Sequence, residues 1–222
     1  MADIRLIDIK TAILSDNQNL ADEIREQLQA KKVFMLNLMG SPGAGKTSVL
    51  LETIRRMRGS VRIGVIEGDI ESLVDSEKVA AEGIATVQLR TGGACHLDAP
   101  MISEALKTMA LDALDLIVIE NVGNLVCPAE FDTGATRRAM ILSVPEGHDK
   151  VLKYPLMFSV CDALVVSKID YMGMSDFDFA VLEEQVRKIN PGIEIFKTSC
   201  RTGEGIDEWC QWVKREITNA IG

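Results

Sequence analysis

The chain has 222 residues, 47% of them hydrophobic, enough to bury one sizeable core. Its 24 Lys and Arg stand against 33 Asp and Glu, a formal charge of -9, so it lacks the basic stripe that duplex binding requires and no nucleic-acid partner is expected. No stretch approaches 18 consecutive apolar residues and the first residues form no apolar run of leader length, so neither a membrane span nor export is expected, and the reading is a cytoplasmic protein.

In chain order, Asp16 and Asn17 stand as caps ahead of Leu20, Ile24 and Leu28. This spacing predicts an amphipathic helix over 16–31 that packs on the core as a lid, making 1–32 an N-terminal extension to a domain of 33–222. Apolar runs of strand length follow at 33–39, 61–66, 85–89, 115–119, 139–144, 163–167 and 193–197, with helix-length segments between them. The alternation predicts an α/β fold: a mostly parallel sheet of about seven strands flanked by helices.

Between the first run and the next helical segment stands GSPGAGKT, 40–47, which matches G-x-x-x-x-G-K-[ST] at every fixed position. The expected fold is therefore a single P-loop NTPase domain. Gly40, Ser41, Pro42, Gly43, Ala44 and Gly45 form the loop, and the N–H groups of residues 43–46 make an anion nest at a helix N-terminus. Lys46 would bridge the β and γ phosphates, the Thr47 hydroxyl would ligate Mg²⁺, and Ser48 completes the nucleotide-contacting stretch.

The second run leads into VIEGD and the fourth into ENVG, which leaves Asp69 and Glu120 at strand ends beside the phosphate loop. Either carboxylate can hold Mg²⁺ or a water, and with Lys46 they are the candidate catalytic groups. Ordinary G proteins carry D-x-x-G where this chain has Glu120 and Gly123. Asp75 stands in an acid-rich stretch where such residues are frequent in any case.

Five cysteines without a sign of export read as free thiols or metal ligands. Cys95 and His96 follow the third run, and Cys127 lies four residues past Gly123, in the segment expected to sense a terminal phosphate. Two thiolates and an imidazole suit Zn²⁺ or Ni²⁺ rather than Mg²⁺, and three ligands leave a coordination position open, as an exchangeable site needs. The plainer alternative is a buried thiol and an exposed histidine.

In the SKID stretch, 167–170, Asp170 can accept hydrogen bonds from guanine N1–H and N2–H₂, while adenine offers no donor at either position. Lys168 would lie along the base plane. The stretch resembles the guanine-reading N-K-x-D motif, with Ser167 where an asparagine amide normally braces the phosphate loop. TSCRTGEG, 198–205, looks like the last base-contacting loop, bringing Ser199 and Cys200 to the nucleotide. Farther on, Ile206, Trp209, Trp212, Val213 and Ile217 recur at helical spacing, so Trp209 and Cys210 read as packing.

Five stretches in order, LNLMGSPGAGKTSVL, GDIESLVDSEK, TGGACHLDA, IVIENVGNLVCPAEFD and GHDKVLKYP, resemble the hydrogenase nickel-incorporation GTPases, the HypB family, over about residues 10–220. The urease accessory GTPases are relatives, but their metal motif is Cys-Pro-His, and here Cys127 and Pro128 are followed by Ala129. The resemblance implies slow GTP hydrolysis coupled to nickel delivery during [NiFe]-hydrogenase maturation. It also implies a GTP-promoted homodimer with Cys95, His96 and Cys127 in or near the interface. A nickel-binding accessory protein and the hydrogenase large-subunit precursor are the implied partners. Some members add an N-terminal nickel site of clustered Cys or His; none precedes Cys95 here, so nickel storage is not expected. If a lysine crosses the dimer, Lys150 or Lys153 is the source by position, the alternative being a solvated DKVLK loop. A P-loop small-molecule kinase, and a metal-binding protein whose P-loop is only structural, are the rival readings.

Overall fold

The structure, a computed structural model, describes residues 9–69 and 74–221. Among them the strands are β1 (Phe34–Gly40), β2 (Ile63–Asp69), β3 (Ala85–Arg90), β4 (Leu116–Glu120), β5 (Arg137–Ser143), β6 (Ala163–Ser167) and β7 (Glu194–Lys197). They form one sheet in the order β3-β2-β4-β1-β5-β6-β7, and every ladder is parallel. β1, β4 and β6 are buried along their whole length, which is why they read as continuous apolar runs without alternation.

The helices are α1 (Ile9–Lys31), α2 (Lys46–Met57), α3 (Val74–Ala81), α4 (Ala99–Lys107), α5 (Cys127–Glu130), α6 (Lys150–Lys153), α7 (Pro155–Ser159), α8 (Phe179–Ile189) and α9 (Ile206–Ile221). Successive side chains of β1 point to opposite faces, so Phe34, Leu36 and Leu38 meet α2 and α9 while Met35 meets α1 and α4. α8 covers the same second face farther along, through Leu182 and Val186 against Met140, Leu142 and Leu164. Each fully buried side chain of this size stabilises the fold by about 1.5–3 kcal/mol relative to exposure. Trp209 is fully buried and donates its indole N–H to Thr53 Oγ1 at 2.9 Å, so α9 is anchored on α2 as its apolar spacing predicts. No helix among the described residues is long and apolar enough to cross a membrane.

α1 differs from its expected start. It already runs from Ile9, so Asp16 and Asn17 lie inside the helix and cap nothing. Asn17 is buried, accepts from the Ala99 N–H at 2.9 Å and donates to the Asp132 carbonyl at 2.9 Å. Its amide is satisfied by distant backbone and serves as a tertiary clamp. Arg25, two turns on, pairs with the Asp132 carboxylate.

From β1 the sheet extends two ways. β4, β2 and β3 lie on one side and deliver acids and thiols from their C-terminal ends; β5, β6 and β7 lie on the other and deliver residues 146, 168–170 and 199–200. The phosphate loop leaves β1 between them, at the position where open α/β sheets bind ligands.

Candidate nucleotide and metal site

The phosphate loop is held by steric fit. Gly40 has φ +152°, and a Cβ there would stand 2.5 Å from the Ile141 carbonyl oxygen, so only glycine permits β1 and β5 to close at this point. Gly45, at φ +100°, turns the chain into α2, whose first residue is Lys46. The Lys46 ammonium folds back on its own loop, donating to the Gly40 and Ser41 carbonyls at 3.3 Å each. Burial lowers its pKa from the ordinary value, against the opposing pull of Glu120, Glu67, Asp75 and Glu146.

Ser41 bonds Glu146, which also accepts from the Ser143 N–H at 2.8 Å and the Ser143 hydroxyl at 2.7 Å. Sequence reasoning missed Glu146; the S-x-x-E capping box from Ser143 was the available signal.

A cleft of about 490 Å³ opens over the loop, lined by Lys46, Thr47, Glu67, Asp69, Asp75 and Glu120 among others. Thr47 Oγ1 donates to Glu120 Oε1 at 2.7 Å. Oxygens of Glu67, Asp75 and Glu120 lie within 4.8 Å of one another. Glu67 and Glu120 are each 3% exposed, and Oε2 of each is buried without a hydrogen-bond partner. Burial first, and for Glu67 the neighbouring Glu120 second, raises both carboxyls above the usual range. A threonine hydroxyl, clustered carboxylates and orphaned buried oxygens are a hard-oxygen donor set that fits Mg²⁺. Asp69 lines the same cleft from the end of β2 but is not one of the three clustered acids. Glu67 escaped the sequence reading, although it stands two residues before Asp69 and therefore on the same face of β2.

An adjoining cleft of about 410 Å³ shares Gly45, Ser48 and Lys168 with the first, and Pro145, Asp170, Tyr171 and Cys200 also line it. Lys168, in the left-handed region at φ +58°, donates to the Gly43 carbonyl at 2.7 Å. The Ser167 hydroxyl donates to the Ala44 carbonyl at 2.6 Å, so the brace expected to be lost with asparagine is present in shorter form. Asp170 Oδ1 accepts from Ser199 Oγ at 2.7 Å. Ser199 is fully buried and so reaches the cleft only through Asp170, which it orients.

The structure brings Cys95, His96 and Cys127 together, with ligating atoms within 4.8 Å of one another. The two sulfurs lie 2.9 Å apart, and His96 Nδ1 is 3.9 Å from Cys95 Sγ. His96 stacks on Phe131 at 3.9 Å between centroids, which fixes the ring plane. Burial lowers the His96 pKa, favouring the neutral imidazole that ligates metals. The hydrogen bond with Cys95, then burial, raises the Cys127 thiol, so a thiophilic metal would displace a proton on entering. The remaining cysteines stand apart: Cys161 and Cys210 are buried in the core and Cys200 is at the second cleft. Lys153 pairs with Asp149, the residue before α6, and Lys150 lies over the Tyr154 ring.

The all-parallel sheet, the phosphate loop at the end of its central strand and the acids beside it define a P-loop nucleotide-binding protein. A family model described as the nucleotide-binding domain of CobW/HypB/UreG matches residues 34–197. The hydrogenase maturation factor HypB of Escherichia coli strain K12 is 41% identical over 216 residues, covering 97% of this chain and 74% of that protein. The chain belongs to the CobW/HypB/UreG family, among its HypB hydrogenase maturation factors. The crystal structure of HypB from Archaeoglobus fulgidus superposes with a TM-score of 0.86 at 38% identity, covering 91% of this chain and 99% of that one. HypB from Helicobacter pylori in complex with nickel gives 0.88 at 35% identity, covering 92% and 96%.

Proposed function

We propose that this protein is a GTP-hydrolysing metallochaperone that couples nucleotide state and homodimerisation to the binding and delivery of nickel during [NiFe]-hydrogenase maturation. The observation that carries the reading is the convergence of Cys95, His96 and Cys127 at strand ends next to a phosphate loop. Family membership and a HypB relative crystallised with nickel favour Ni²⁺ over Zn²⁺ as the cargo.

Asp170, held by Ser199, selects guanine, with Lys168 and Cys200 beside the base. Gly40, Ser41, Pro42, Gly43, Ala44 and Gly45 with Ser48 enclose the phosphates, and Lys46 leaves its two carbonyls to meet them. Thr47, Glu120 and Asp69, with Glu67 and Asp75 around them, would hold Mg²⁺, whose charge offsets that building up on the transferred phosphoryl group. Val126, beside Cys127, and Leu152 and Leu156, on the neighbouring α6 and α7, are exposed apolar residues that suit a second copy of the chain. A nickel-binding accessory protein supplies the metal, and a hydrogenase large-subunit precursor receives it in the cytoplasm.

The test is Ni²⁺ affinity and the sulfur count around the metal, for wild type and Cys127→Ala, with GDP and with a nonhydrolysable GTP analogue. The reading expects wild-type affinity to depend on the nucleotide, and Cys127→Ala to lose metal while binding GTP normally. Metal binding indifferent to both nucleotide and mutation would leave an ordinary GTPase with an incidental thiol.

A further inference from the structure

A single asparagine connects the phosphate loop to the two segments that carry Cys95 and Cys127. The Asn124 N–H donates to the Gly40 carbonyl at 3.0 Å, and the two residues form an isolated antiparallel bridge outside the main sheet. Its side-chain Nδ2 donates to the Cys95 carbonyl at 3.2 Å. Its Oδ1 accepts from the Val126 N–H at 2.9 Å, fixing the turn that leads directly into Cys127 at the start of α5.

An Asx turn explains the Val126 bond and nothing more. The hydrogen bond that the side-chain amide donates to a carbonyl 29 residues away and the bridge to Gly40 go beyond a local turn.

The Gly40 carbonyl is shared. It accepts from Asn124 and also from the Lys46 ammonium at 3.3 Å. A phosphate entering the loop draws Lys46 to itself, and the carbonyl is then left to Asn124. The adjacent backbone packs closely on the loop: a Cβ on Gly123 would stand 2.9 Å from the Pro42 nitrogen. A shift of the loop would therefore press on residues 123–124.

We infer that Asn124 is the positioning residue through which phosphate occupancy sets the placement of Cys95 relative to Cys127. The inference rests on the reading of the protein as a nucleotide-responsive nickel carrier and names the regulator of that site. Linkage makes the effect mutual: metal bound at the thiols alters nucleotide affinity by the same factor.

Two substitutions separate the contacts. Asn124→Asp keeps the backbone bridge and the acceptor for Val126 but loses the donor to Cys95; Asn124→Ala loses both side-chain contacts. Ni²⁺ dissociation constants, from chelator competition, are compared for the GDP-bound and GTP-analogue-bound forms of wild type and both variants, alongside nucleotide affinity and thermal midpoint. The expected wild-type ratio between nucleotide states is about 5- to 150-fold, the usual range of allosteric coupling. Both variants should bring that ratio to within about twofold of unity while nucleotide affinity without metal changes little, a split that general loosening of the fold does not produce. If Asn124→Ala fails to fold, Asn124→Asp decides. A full wild-type ratio in Asn124→Asp overturns the inference and spares the proposed function, whereas a wild-type ratio of one overturns both.

Discussion

Replacing Gly123 by alanine tests whether the segment after β4 and the phosphate loop behave as one body. The new Cβ would meet the Pro42 nitrogen and Cγ at 2.9 Å and the Pro42 Cα at 3.0 Å. Ordinary contact begins at 3.4 Å, so about half an ångström of separation must be found, and two of the three obstructing atoms belong to backbone. Gly123 is not in the left-handed region, so the conflict is one of space alone. Overpacking of this kind costs about 1–3 kcal/mol. Borne when the loop must close on phosphate, that is about a 5- to 150-fold loss of affinity. GDP and a GTP analogue should weaken together, because Pro42 belongs to the loop that both engage. Isothermal titration with each nucleotide, beside a melting curve to confirm the fold, measures the effect. Affinities within twofold of wild type would show that the two segments yield independently, and the close packing would carry no functional meaning.

Asp170→Asn should weaken guanine nucleotides and admit xanthine nucleotides, since the amide donates where the carboxylate accepted; unchanged preference for GTP over XTP and ATP would refute the base assignment. Glu67→Gln bears on pH. Burial raises the Glu67 carboxyl from 4.5 to about 10, so its contribution to stability is complete below about pH 4.5 and is lost as pH climbs through the folded value. The variant's thermal midpoint, without nucleotide, should therefore fall less steeply than wild type across that window, and parallel profiles would count against a protonated Glu67.

The sheet was legible in the sequence because its interior strands are buried on both faces, and apolar runs of that kind have few other uses. The readings stop short where polarity begins. The second run ends at residue 66 by hydropathy, yet β2 continues through Glu67, Gly68 and Asp69, the residues that line the cleft. The fifth run starts at 139, but β5 begins with Arg137 and Arg138, which pair with Glu216 and Asp132. Asn17 has the composition of a cap, and its actual partners, Ala99 and Asp132, are 82 and 115 residues away. Asn124 was silent for the same reason, as was the bond that Glu146 accepts from Ser41, although the capping box that Glu146 makes with Ser143 is a local signal. Their roles come from carbonyls and hydroxyls that only the folded chain brings near, whereas the phosphate loop and the Cys-His pair announce themselves through local spacing.

β1 stands between two halves of the sheet with separate duties. The residues proposed to read the base descend from β6 and β7, and those proposed to hold the metal follow β3 and β4, with the phosphate loop as their common border. Such a layout lets lineages revise one specificity without retuning the other. A change of cargo requires new side chains only in the loops after β3 and β4, while the nucleotide preference, set on the opposite flank, passes to descendants intact. An engineer wishing to redirect the protein to another metal would inherit the same freedom, provided the phosphate loop, Glu120 and Asn124 are left untouched.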